Sequence, residues 1–166
     1  QWDENGRIKS MKRTGSSVLL AMMMLLAFGV NAFAAEGPNR EVTVTESNTS
    51  SDTVYFIGDT NARGKLAYGT LSITNTSPSV ATVTGATYAN EWCSLLKCMI
   101  ELYKYNPSTS VSTYIDSYNI YGTNGMSCCG SKDFKVPSKG YYFATGQHCY
   151  KSEEFKYTQT EAIKIN

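Results

Sequence analysis

The sequence predicts an all-β domain: about seven antiparallel strands packed as a β-sandwich, behind an export signal. Three observations carry this. Beyond residue 35 the chain is poor in charge and rich in Thr, Ser, Tyr, Val and Ile, the residues that suit pleated surfaces and turns. Alternating apolar and polar segments recur at sandwich spacing, each closed by turn residues. Five cysteines all follow the export signal, where an oxidising compartment favours disulfides.

The elements follow in order. Residues 1–10, QWDENGRIKS, precede the first methionine, Met11, and are read as an upstream reading-frame extension. Residues 11–34 have the three regions of a secretory signal peptide. Lys12 and Arg13 make the basic start, 18–30 is the apolar run, and Ala32-Phe33-Ala34 is the cleavage signal. Cleavage after Ala34 leaves Ala35 as the mature amino terminus. The expected product is secreted and extracellular, with no membrane association once the signal is removed.

Residues 35–63 read as a flexible polar leader. Within it, 41–46 alternates like an edge strand, and 54–57 is a short apolar patch suited to docking on the domain. Residues 64–166 form the sandwich. Its strands are predicted at 66–74, 80–88, 94–105, 111–120, 131–136, 140–150 and 157–165, with NTSPS, NPS, YGTNG and Pro137 among the turns. The stretch NEWCSLLKCMIELYKY also carries Trp92, Leu95, Leu96 and Met99 at helical offsets. We read it as strand because Cys98, Ile100 and Leu102 alternate with Met99, Glu101 and Tyr103. The same alternation points Phe134, Val136, Ile163 and Ile165 inward. It also places Tyr142, Ala144, Gly146 and His148 on one face, and Tyr141, Phe143 and Thr145 on the other.

The segment SKGYYFATGQHCY resembles the turn-and-strand signature of immunoglobulin-like sandwiches, in which a corner tyrosine bonds nearby backbone. Tyr142 takes that position. The stretches ARGKLAYGTLSI, VTGATYANEWC, IELYKY, KGYYFATGQH and TQTEAIKIN are similar to a family of small secreted bacterial proteins of uncharacterised function. The matching positions are Arg63, Gly64, Gly69, Gly85, Thr87, Ala89, Gly140, Tyr141, Tyr142, Gly146, His148, Thr160, Ile163 and Ile165. The resemblance runs from about residue 62 to the end and implies an immunoglobulin-like fold. It departs at Phe143, Ala144 and Thr145, where the family carries arginines, and it implies no reaction.

His148 is the only histidine. With Cys149, Cys128 and Cys129 it supplies zinc-ligand types, but without the C-x-x-C spacing of a zinc knuckle, so no metal and no cofactor is expected. A Cys–His nucleophilic pair is disfavoured because Cys149 points to the opposite face of the strand. His148 is therefore read as structural, like Tyr142, and no catalytic residues are assigned. Five cysteines make an odd set, so one is left over. If 94–105 and 140–150 are antiparallel neighbours, Cys93 lies near Cys149, and that bridge is expected; Cys98 would then reach Cys128 or Cys129.

Charges after the signal nearly cancel, which argues against nucleic acid. Paired carboxylates, a phosphate loop and a nucleophile elbow are not evident. The twelve tyrosines suggest binding instead. Tyr103, Tyr105, Tyr114, Tyr118 and Tyr121 fall in the middle strands as a candidate platform, although cross-strand aromatics also simply stabilise sheets. The sequence thus predicts a secreted non-enzymatic protein that binds an extracellular protein or glycan. The alternatives are a small secreted hydrolase or metal-dependent protein, and a structural module forming a disulfide-linked dimer through the unpaired cysteine.

Overall fold

The computed structural model describes residues 40–56 and 64–166. The reading-frame extension, the signal peptide, residues 35–39, and Ile57 and Arg63 lie outside the described residues. Every described element is a strand: β1 (Thr49–Tyr55), β2 (Leu66–Ser77), β3 (Val80–Asn106), β4 (Val111–Lys135), β5 (Gly140–Tyr150), β6 (Glu154–Gln159) and β7 (Ile163–Ile165). The stretch with the rival helical pattern lies inside β3 and is strand throughout. The strands form one antiparallel sheet in the order β1-β2-β3-β5-β6, with β4 also on β3 and β7 also on β5. The sheet curls into a half-barrel.

The boundaries differ from those predicted, for a physical reason. Residues 80–88 and 94–105 are one strand of 27 residues, and 111–120 and 131–136 are one strand of 25. Turn residues between them produce a bend instead of a chain reversal. Tyr88 pairs with Ser127 but Cys93 pairs with Gly125, so four residues of β3 stand against one of β4. A bulge of this kind bends both strands while keeping them paired. The corner is fastened at two points. Asn90 bonds the carbonyls of Lys65, through its N–H, and Gly64, through its side chain, at 2.8 and 2.9 Å. The Tyr150 hydroxyl donates to Glu91 at 2.8 Å.

The bend divides the sheet into two halves. In the first, β1 and β2 join residues 80–89 of β3 and 127–135 of β4. In the second, residues 93–106 of β3 pair with 111–125 of β4 and with β5, which carries β6 and β7. The core fills the space between them. Leu71, Ile73, Ala81, Val83 and Phe134 come from the first half; Leu96, Ile100, Leu102, Tyr142, Ala144, Ile163 and Ile165 come from the second. Strand β1 falls in the stretch expected to be leader, and it packs Val54 against the core. Residue 44 makes a single parallel bridge to Ala162.

Side chains on the first half's core face are small where the second half's are bulky. A Cβ on Gly69 would come within 2.5 Å of the His148 ring, and one on Gly85 within 2.7 Å of Cys98 Sγ and Ile100. These glycines are required by close approach of the two halves, not by backbone twist.

Candidate functional site

Polar side chains gather in two places: the buried cluster around His148, and the outer face of the first half-sheet.

His148 is fully buried. Its Nδ1 lies 2.8 Å from Thr87 Oγ1 and its Nε2 lies 2.9 Å from Thr158 Oγ1. The Thr87 hydroxyl also donates to the Lys97 carbonyl at 3.2 Å. A hydroxyl has one proton to give, so Thr87 accepts from Nδ1–H. Nε2 then accepts from Thr158. The ring is held neutral, and burial lowers its pKa from 6.5 to about 4, against a weak opposing pull from Asp52. Cys98 lies across from His148 in the register. Burial, reinforced by Cys128, pushes its thiol up to about 12. The chemistry available to this cluster is hydrogen bonding among neutral groups. Sequence reasoning singled out Thr87 and His148 but not Thr158, whose partner is visible only through the β5–β6 register.

Tyr142 is fully buried, and its hydroxyl donates to the Ser138 carbonyl at 2.6 Å. None of the five cysteines is bridged in this structure, and the expected Cys93–Cys149 pair is not brought face to face. Cys149 pairs with Lys97, on the face turned away from the core, while Cys93 belongs to the core cluster. Four of the thiols are buried and Cys129 is exposed. Among the described residues, no group of three or more His, Cys, Asp or Glu side chains is placed to hold a metal ion.

The five candidate platform tyrosines do not share one surface. Tyr105 is buried with Phe143 and Ala162. Tyr103 is half-buried, stacked on Phe143 at 5.3 Å and edge-on to Tyr114 at 5.7 Å, and its hydroxyl donates to Glu101 at 3.0 Å. Burial, followed by that carboxylate, pushes its pKa up to about 12. Tyr121, paired with Lys97, lies on the same outer face but further along the strand. Tyr118, paired with the core residue Ile100, faces the opposite way, and the Lys132 ammonium sits 5.6 Å above its ring.

The first half-sheet carries a more regular surface. On its outer face the register lines up rows across β1, β2, β3 and β4. One row is Thr49, Thr74, Thr82 and Asp133; the next is Ser51, Ser72, Thr84 and Ser131. Then come Thr53, Thr70, Ala86 and Cys129, and finally Tyr55, Tyr68, Tyr88 and Ser127. Neighbours stand about 4.8 Å apart across strands and about 6.8 Å apart along them. Tyr68 and Tyr88 stack at 4.2 Å with ring planes 13° apart, and Tyr55 lies 5.6 Å from Tyr68, tilted 38°. At the far end Thr82 donates to Asp133 at 2.6 Å and lies 2.9 Å from Thr76 Oγ1. No charged side chain stands in the other three rows. Sequence reasoning missed Tyr55, Tyr68 and Tyr88, because they lie on three different strands and meet only through the register. The period-two spacing of Ser and Thr in SSDT, TLSITNT and ATVT was the available signal.

No family model matches the chain, and no curated protein or solved structure is similar to it.

Proposed function

We propose that this is a secreted, non-enzymatic module whose hydroxyl-bearing outer face binds a neutral extracellular glycan. The observation that carries the reading is the four-strand grid just described. Its hydroxyls both donate and accept, as sugar hydroxyls do. They sit on short side chains fixed by strand register, so little conformational freedom is lost on binding. The uncharged central rows suit a neutral polymer better than nucleic acid or an anionic surface. Tyr55, 67 % exposed at the sheet edge, adds an open ring for stacking.

Export is supported by the pattern of residues 11–34. Kinship with immunoglobulin-like sandwiches and with small secreted bacterial proteins is supported by the corner tyrosine and by the glycine and threonine positions that meet around His148. The continuous β3–β4 ribbon is a departure from a two-sheet sandwich.

The test is retention of the secreted protein on insoluble cellulose and chitin and on a neutral glycan array. Retention that Thr84→Lys abolishes supports the reading; a chain that passes every neutral glycan overturns it. A second reading, dimerisation through the unpaired cysteine, is favoured by Cys129, which is exposed in this same face. A reducible dimer on a non-reducing gel that Cys129→Ser removes would establish it.

A further inference from the structure

Between the two half-sheets lie two thiols for which the hydroxyl face has no use. Cys98 comes from the second half of β3 and Cys128 from the returning half of β4, and both are buried. Thr87 stands across from Cys128 in the register. Ile120 stands across from Cys98, and its carbonyl accepts from the Cys128 thiol at 3.9 Å. Glycines make this approach possible. A Cβ on Gly85 would lie 2.7 Å from Cys98 Sγ, and one on Gly122 would lie 2.7 Å from Cys128 Cβ. Cys98 Sγ lies over Gly85, and Cys128 stands across from Thr87, the next residue on that face of β3, so the two sulfurs are close neighbours.

We propose that Cys98 and Cys128 join in an intrachain disulfide that links the two half-sheets through the core. The other three thiols are placed apart from this pair. Cys129 points out of the opposite face from Cys128, and Cys149 points away from the core on β5. Cys93 sits at the bend, where its thiol donates to the Leu95 carbonyl at 2.9 Å.

The chemistry is thiol–disulfide exchange with a small-molecule disulfide such as oxidised glutathione. One cysteine thiolate attacks the oxidant and releases one thiol. The second cysteine displaces the remaining half of the oxidant and closes the bridge. The cysteines lose two electrons and two protons in total, and the oxidant leaves as two thiols. Exchange needs a thiolate, and the closed core keeps these sulfurs protonated, so the bridge forms while the chain is still folding.

The test refolds the reduced full chain in a mixture of reduced and oxidised glutathione. The product is then denatured without reductant, alkylated and mapped by mass spectrometry. Three alkylated cysteines and a linked peptide joining Cys98 to Cys128 are expected, with a higher Tm than that of the reduced protein. The Cys98→Ser/Cys128→Ser double variant is expected to lose the link and the Tm difference. Five alkylated cysteines, or a link between any other pair, overturns the proposal. Mapping the wild-type chain decides it even where the variant fails to fold.

Discussion

The two halves of the sheet carry complementary surfaces. On the inside, the first half offers gaps at Gly69 and Gly85, and the second half fills them with His148, Cys98 and Ile100. On the outside, the first half is a grid of Ser, Thr and Tyr. The second half carries Leu95, Tyr114, Tyr121 and Phe155, exposed beside Lys97 and Glu101. The difference shows how one bent ribbon serves two purposes. Glycines at 69 and 85 let the second half come close to the first, whose β2–β3 register is unshifted from Tyr68 to Asn75, which keeps the outer side chains in straight rows. Strands that supply the bulk of the core carry a less uniform exterior.

The largest effect should come from filling a gap. Gly69→Ala would push a methyl group into the His148 ring, and Gly85→Ala into Cys98 and Ile100. Each should cost about 1–3 kcal/mol of unfolding free energy, measured by urea titration. A loss below half a kilocalorie would mean that the halves are not packed this closely.

Acid should reveal the ring that fills the first of these gaps. His148 has a folded pKa near 4, below its ordinary 6.5. The unfolded chain therefore binds the extra proton first. Stability from this group is fully present above about pH 6.5 and is lost as pH falls towards 4. The full loss is on the order of 3 kcal/mol, and most of it precedes carboxylate titration. Tm measured across pH 7 to 4.5 should fall, and His148→Gln should flatten the profile. An unchanged slope in that variant would place the acid sensitivity elsewhere.

Smaller effects follow. Tyr142→Phe removes the bond to Ser138 and should cost about 1 kcal/mol, within the second half only. On the grid, Thr84→Lys should change stability by less than about 0.5 kcal/mol, since the position is exposed. Its consequence should be confined to binding.

Much of the inward pattern was legible in the sequence. Alternation placed Phe134, Val136, Ile163 and Ile165 inward and put Tyr142, Ala144, Gly146 and His148 on one face, and all are buried. It succeeds because the side-chain period of a strand is two, whatever its partners. What alternation cannot give is partnership. Asn90, Glu91 and Trp92 looked like the gap between two strands, and YGTNG looked like a turn, yet both lie within continuous strands that bend together. Turn residues permit a chain reversal or a bulge equally, and only pairing partners distinguish them. The tyrosine platform failed for the same reason. Tyr118 and Tyr121 are three apart and so point to opposite faces, whereas Tyr68 and Tyr88 are far apart in sequence and stack. Cys93 and Cys149 were matched by strand ends, but the register puts Lys97 opposite Cys149.

The most direct measurement compares retention on insoluble neutral polysaccharide for three proteins: wild type, Thr84→Lys on the first half, and Thr123→Lys on the outer face of the second. The hydroxyl-grid account predicts that wild type and Thr123→Lys are held while Thr84→Lys washes through. Equal retention of the two variants would contradict it.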